Sequence, residues 1–279
     1  MDREDRIEFY DRRTGEVRTE QVLGDAFIKW AYRTLSGRLV GPLAFGTSIP
    51  SRVLGWWFDR RWSRRRIAKT IADLSIDASE FARAPEEFRS FNDFFTRELT
   101  DGARPFPDDP KLLPSPADGR LLVYPAADGG TPVPVKGVEG PLGDLFDRPI
   151  DEFDGGSAAV VRLCPADYHR YHFPCDGTVV ETRAIRGRYD SVNPIALAAR
   201  PRVFARNKRE ITLIDTDAFG RMAFVEVGAF GVAGIHRTWS GPDVTRGREK
   251  GYFDFGGSTI VLLFRAGAVT FDADLLEQS

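Results

Sequence analysis

The sequence predicts an α+β chain, with a helical, membrane-facing N-terminal part over residues 1–100 and a mostly antiparallel β body over 101–279. Three observations predict it. Up to about residue 100 the apolar residues recur at helical spacing behind serine caps. From residue 112 the texture changes to short apolar runs punctuated by Gly, Pro and Asp, as expected of strands joined by tight turns. Between them, residues 100–116 are rich in proline and aspartate and carry neither pattern, so they read as a linker. At 279 residues and 42% hydrophobic content, the chain is long enough to bury one large core, with or without a helical extension.

Residues 1–11 alternate acidic and basic side chains without an apolar stretch, so no secretory leader is expected. Val22, Leu23, Ala26, Phe27, Trp30, Ala31, Leu35 and Leu39 follow a helical repeat. Residues 28–69 then carry ten Lys and Arg against one acidic residue, Asp59, and hold four of the five tryptophans: Trp30, Trp56, Trp57 and Trp62. Indole rings favour the headgroup level and arginines favour anionic lipid, so the segment reads as a peripheral contact with an anionic membrane surface. It does not read as a span, because the longest uncharged run, 39–51, falls short of the ~20 residues a crossing needs and contains Pro42 and Pro50. For residues 21–36 alone, an amphipathic helix packed on its own domain is an equal alternative. No nucleic-acid recognition motif accompanies the arginines, so nucleic acid is not expected as a partner. Ser63 is a candidate cap before Ile67, Ile71 and Leu74, and Ser90 another before Phe94, Phe95 and Leu99. Beyond the linker, strands are expected at 121–124, 158–163, 178–185, 210–214, 222–227, 259–264 and 268–271.

Chemistry concentrates in three places. Near the C-terminus, Tyr252-Phe253-Asp254-Phe255-Gly256-Gly257-Ser258-Thr259 runs straight into the apolar strand that starts at Ile260. Gly257 has no side chain to shield its carbonyl, so the Ser258 hydroxyl can approach it, and an N→O acyl shift becomes chemically accessible. Loss of the ester's carboxylate by β-elimination would leave dehydroalanine at 258, which hydrolyses to a pyruvoyl group. Taken alone, the Gly-Gly pair is more simply a turn before a strand. The second place is Ser115-Pro116-Ala117-Asp118-Gly119, a proline-braced turn that presents an aspartate, although Asp-Gly is also ordinary turn chemistry. The third is the segment 164–177, with His169 and His172, two of only three histidines. Two histidines three apart lack the further ligands that zinc requires, so no metal is expected, and structural histidines remain the alternative. Cys164 and Cys175 bracket this segment, and without a secretory leader reduced thiols are expected.

In this order, together with Tyr10-Asp11-Arg12-Arg13-Thr14-Gly15, Phe91-Asn92-Asp93-Phe94-Phe95-Thr96-Arg97-Glu98-Leu99, Ser191-Val192-Asn193-Pro194, Val227-Gly228-Ala229 and Lys250-Gly251, these motifs resemble the phosphatidylserine decarboxylase proenzymes, a pyruvoyl-dependent family. The resemblance covers nearly the whole chain. It implies a self-cleavage triad of Asp118, His172 and Ser258, with the scissile bond between Gly257 and Ser258 and the pyruvoyl cofactor derived from Ser258. It also implies a decarboxylation role for His169, in substrate handling or protonation of the product carbanion. These roles are chemically coherent: a hydroxyl needs an adjacent imidazole to take its proton, and a carboxylate fixes that imidazole's tautomer. By the same resemblance, the substrate amine condenses with the Ser258-derived ketone as a Schiff base, phosphatidylserine loses CO2, and phosphatidylethanolamine is released in phospholipid biosynthesis. The two cleaved chains are expected to stay associated without a covalent link, on the cytoplasmic face of the cell membrane. Homo-oligomerisation has no residue signature.

Asn207-Lys208-Arg209 and the stretch Phe230-Gly231-Val232-Ala233-Gly234-Ile235-His236 depart from the family pattern, and His236, which receives no role, is expected to bond to backbone. Two other functions compete. A pyruvoyl decarboxylase of a soluble amino acid would use the same Ser258 but have no need of the Trp and Arg segment. An inactive membrane-peripheral binding protein would have no reason to keep Asp118, His172 and Ser258.

Overall fold

The computed structural model describes residues 8–20, 48–134, 139–187, 207–231 and 234–279. The described chain opens as a hairpin rather than a helix: β1 (Glu8–Asp11) pairs antiparallel with β2 (Glu16–Thr19). The Asp11 carboxylate accepts from the Arg13 amide at 3.0 Å, and Gly15 takes a left-handed φ of +70°, so the turn residues override the charge alternation. The helix expected over 21–39 lies outside the described residues.

Two helices follow, α1 (Ser48–Phe58) and α2 (Ile67–Leu74), and then a short α3 (Phe91–Phe95). Ser90 caps α3 as expected, accepting from the Asp93 amide at 3.1 Å. Ser63 does not cap α2. Its hydroxyl, fully buried, donates toward the Phe58 and Arg60 carbonyls and accepts from the Phe91 amide at 2.8 Å, so it ties the end of α1 to the start of α3. Phe58, Ile67, Phe81, Phe88, Phe91, Phe94 and Phe95 make this region's own core, against which Phe255 also packs. The N-terminal part is therefore fastened to the segment just before Ser258.

The remaining strands are β3 (Arg120–Ala127), β4 (Pro132–Pro134), β5 (Glu139–Pro141), β6 (Gly156–Leu163), β7 (Arg170–His172), β8 (Gly177–Ile185), β9 (Arg209–Thr216), β10 (Gly220–Gly231), β11 (Ile235–Arg237), β12 (Asp243–Val244), β13 (Glu249–Phe253) and β14 (Gly256–Phe264). Seven of them form one sheet in the order β12-β8-β9-β10-β14-β6-β3, three more form β11-β13-β7, and every pairing is antiparallel. The expected antiparallel body is thus present. Residues 268–271 are not a strand, and Ala268, Val269 and Phe271 are apolar because they pack on the sheet ahead of α4 (Ala273–Gln278).

Alternation across the large sheet explains its core. Ala158, Val160, Ala223, Val225, Val261 and Leu263 face the segment 142–153, whereas Val161, Phe224, Ile260, Leu262 and Phe264 face Tyr171 and Phe253 of the small sheet and the adjoining Phe173. Covered on both faces, β6 is buried at every residue and carries the apolar stretch Ala158-Ala159-Val160-Val161, with Arg162 the one charged residue in the strand. Ser258 therefore enters the most enclosed part of the protein.

Candidate active site

Ser258 is the third residue of β14, opposite Gly228 of β10 on one side and Leu163 of β6 on the other. Its side chain is buried, and Oγ has no hydrogen-bond partner among the described residues. A buried hydroxyl left unbonded costs stability, which marks the position for something other than packing. The β10–β14 register shifts between Gly228 and Gly231, opposite Gly256 to Ser258, so the expected scissile bond lies where the ladder is irregular.

The residues before that bond are held from three directions. The Phe253 amide donates to the His169 carbonyl at 3.0 Å, the Asp254 amide to the Gly234 carbonyl at 3.1 Å, and the Phe255 amide to Oδ1 of Asn92 at 3.1 Å. The Phe255 ring packs on Phe58, Phe91 and Phe95 at centroid distances of 4.4, 5.3 and 5.0 Å. His236, expected to bond to backbone, instead meets the Asp254 carboxylate through Nε2 at 2.7 Å and stacks on Tyr252 at 4.6 Å.

His169 is fully buried at the end of a tight turn. The Asp167 carboxylate accepts from the Cys164 amide at 2.6 Å, and the Asp167 carbonyl bonds Nδ1 of His169 at 2.9 Å. A carbonyl can only accept, so Nδ1 carries the proton and the lone pair of the neutral ring sits on Nε2. The Phe95 ring covers the imidazole at 3.8 Å. Arg97, also buried, donates to the carbonyls of Ala166 and Asp167 at 2.9 and 3.2 Å, and burial pulls its pKa down to about 10.

His172, on β7, has the same ring polarity: Nδ1 donates to the Gly247 carbonyl at 3.0 Å. Its amide donates to the Pro116 carbonyl at 2.8 Å, which joins the aspartate turn to the histidine strand, and its ring lies between Tyr168 and Phe106. The Asp118 carboxylate is taken by Arg104 at 2.8–3.0 Å, and Arg104 also reaches Glu80. The structure therefore joins Asp118 to His172 through the backbone of their segments. No hydrogen bond links the side chains of Asp118, His172 and Ser258 to one another.

Sequence reasoning placed Asn92, Arg97 and Asp254 within its motifs but gave them no role, and it passed over Arg104; their partners lie far away along the chain. It also missed a buried ion pair between Lys250 of β13 and Glu226, which lies opposite Ile260 in the ladder, and burial drives this pair toward the neutral form by raising Glu226 to about 7 despite the nearby ammonium. Cys164 and Cys175 are free buried thiols, and burial pushes both up to about 12, so neither is a competing nucleophile.

A family model described as phosphatidylserine decarboxylase matches residues 91–279. Across its length the chain is similar to proteins named phosphatidylserine decarboxylase proenzyme. That of Ruminiclostridium cellulolyticum is 41% identical over 276 residues, 98% of this chain and 92% of the relative. That of Clostridium perfringens is 41% identical over 277 residues, 98% and 94%. That of Clostridium botulinum strain Kyoto is 39% identical over 276 residues, 98% and 94%.

Proposed function

This chain belongs to the phosphatidylserine decarboxylase family, and we propose that it cuts itself between Gly257 and Ser258, turns Ser258 into a pyruvoyl group, and decarboxylates phosphatidylserine to phosphatidylethanolamine. The observation that carries this reading is the unbonded hydroxyl of Ser258, buried at the head of a strand paired on both edges.

In the cut, the Ser258 oxygen adds to the Gly257 carbonyl while Nε2 of His172 accepts the hydroxyl proton. The Nδ1 bond to Gly247 supports this role, because it leaves the basic lone pair on Nε2. Asp118 contributes from the turn that holds the His172 amide. The adduct collapses as the Gly257–Ser258 C–N bond breaks and the proton held by His172 passes to the freed Ser258 nitrogen, leaving an ester. Loss of the Ser258 Cα proton then expels the Gly257 carboxylate, and the dehydroalanine at 258 tautomerises to an imine that takes up water and releases ammonia. The same position fits the product, since it is enclosed and offers the 258 side chain no competing hydrogen bond. A pyruvoyl group there supplies an electron sink for the carbanion formed when CO2 leaves. His169, anchored at Nδ1, carries the proton for the decarboxylation step at Nε2.

The reading extends to a peripheral position on the cytoplasmic face of the membrane. Trp56, Trp62 and Val53 are half-exposed or more, and Arg60 and Arg66 stack on Trp56 and Trp57 at 4.3 and 4.8 Å. Such an aromatic and cationic surface suits an anionic lipid interface. Among the described residues, no helix is long and apolar enough to cross a membrane.

Mass spectrometry of the purified protein tests the central claim. Two chains are expected, 1–257 and a pyruvoyl-blocked 258–279, with Ser258→Ala giving one intact chain and no turnover of detergent-dispersed phosphatidylserine. An intact wild-type chain that nevertheless decarboxylates the lipid overturns it. Turnover of free amino acids in place of lipid would identify the soluble-substrate alternative.

A further inference from the structure

We propose that Arg97 is a positioning residue for the decarboxylation step, acting on His169 through the carbonyl of Asp167; the proposal rests on the reading of His169 given above. The Asp167 carbonyl has two donors, Nδ1 of His169 at 2.9 Å and Nη2 of Arg97 at 3.2 Å. The same Nη2 holds the preceding carbonyl, Ala166, at 2.9 Å. One guanidinium thus fixes two successive peptide planes of the turn, and the second of those planes fixes the imidazole.

Packing alone does not explain why an arginine stands here. Its side chain is buried, and among the described residues no carboxylate pairs with it directly, Asp118 and Asp167 acting only through their charge. Nε and Nη1 have no hydrogen-bond partner among the described residues. The Phe81 and Phe94 rings lie 5.1 and 5.2 Å from the guanidinium carbon, and these contacts offset only part of what burying a cation costs. A methionine would fill the space with no charge to bury, so stability alone does not call for arginine. The feature only a guanidinium supplies at this point is a rigid, charged donor aimed at the turn carbonyls.

The neighbouring geometry assigns the same task to the surrounding run. Phe95, two residues earlier, lies against the face of the His169 ring at 3.8 Å, while Arg97 holds the carbonyl that receives its edge. Residues 95–97 therefore set both the plane and the in-plane rotation of the imidazole. His172, by contrast, is steered by Gly247 and Pro116, which Arg97 does not touch. Arg97 should consequently matter much more for turnover than for the cut, to which it is linked only by the attraction between its charge and Asp118 and by the His169 carbonyl that holds the Phe253 amide.

The test compares Arg97→Met and Arg97→Lys with wild type in three measurements: rate of self-cleavage, kcat and KM on detergent-dispersed phosphatidylserine, and side-chain nitrogen NMR of histidine-labelled processed enzyme. With three histidines in the chain the spectra are simple. In Arg97→Met, cleavage should stay within about twofold of wild type. Misplacement of the imidazole by a fraction of an ångström to an ångström should lower kcat by roughly 10²-fold with KM little changed. Only the His169 nitrogen signals should move, and Arg97→Lys should restore part of both effects. Parallel losses in cleavage and turnover, loss of cleavage in both variants, or an unmoved His169 spectrum would make Arg97 merely structural and overturn the proposal. A processed wild type that fails to decarboxylate the lipid would instead sink the functional reading, while the spectra would still decide the role of Arg97.

Discussion

Replacing the buried Lys250–Glu226 pair with Met and Leu should stabilise the protein at neutral pH and do much less at acid pH. Both side chains are 1% exposed, and Lys250 lies over the Phe224 ring at 4.8 Å, so the pair sits among apolar rings. Glu226 is raised from 4.5 to about 7, first by burial, against the attraction of Lys250. Between those values the folded state holds a proton that the unfolded chain has released. Its stabilising contribution is therefore complete below about pH 4.5 and is lost as pH rises through about 7. A displacement of that size, at about 1.4 kcal/mol per unit, amounts to roughly 3 kcal/mol. The assay is urea unfolding in a Ser258→Ala background, which keeps one chain, comparing the parent with E226L/K250M from pH 4.5 to 8. Subtracting the two curves removes the other titrating groups. The parent's stability relative to the double variant should fall by about 3 kcal/mol up to pH 7 and then level off. A difference that rises with pH would mean that the ammonium holds the carboxylate ionised in the fold, and the reasoning from burial would fail.

Three further outcomes follow from the site. His172→Ala should slow self-cleavage by 10²-fold or more, about what an acid–base group contributes, whereas His169→Ala should cleave and then turn over poorly; equal defects in gel-monitored processing would erase the division between them. Asn92→Ala removes the acceptor of the Phe255 amide and should slow cleavage about tenfold by loosening the approach to the scissile bond, measured as the half-time for loss of full-length chain. Trp56→Ala/Trp62→Ala should weaken binding to anionic vesicles by about tenfold or more, some 1.4 kcal/mol, without changing self-cleavage, and undiminished vesicle sedimentation would remove the membrane assignment from this surface.

What the sequence could disclose was local. The central strands were legible because two-sided burial writes apolar runs at 158–161 and 260–264, and Ser90 was legible because its cap closes three residues away. Short strands such as β7, β11 and β12 were not, since two or three residues carry no periodicity and exist only because a partner pairs with them. The hairpin at 8–19 was hidden by charge alternation that resembles an exposed helix as much as an exposed strand. In the site, Asp118, His169, His172, Gly257 and Ser258 stood out as motif residues, whereas Arg97 acts across 70 residues and Asp254 meets His236 across 18. Nothing short of the fold brings those pairs together.

The positions flanking the expected cut explain how a chain could be severed in its core without coming apart. Downstream, Ser258 to Phe264 pair residue by residue with β6, and all seven side chains are buried. The five apolar ones from Ile260 to Phe264 each contribute about 1.5–3 kcal/mol of burial, roughly 10 kcal/mol before the cost of ordering. At the far end of the same piece, the Ser279 hydroxyl meets the Val123 amide at 3.1 Å. Upstream, Phe253, Asp254 and Phe255 are each tied to a different element, so the new end at Gly257 has no slack with which to withdraw. Breaking one peptide bond between two independently fastened segments changes the chemistry at residue 258 and little else. That is the condition under which a protein can use its own backbone as the precursor of a reactive group.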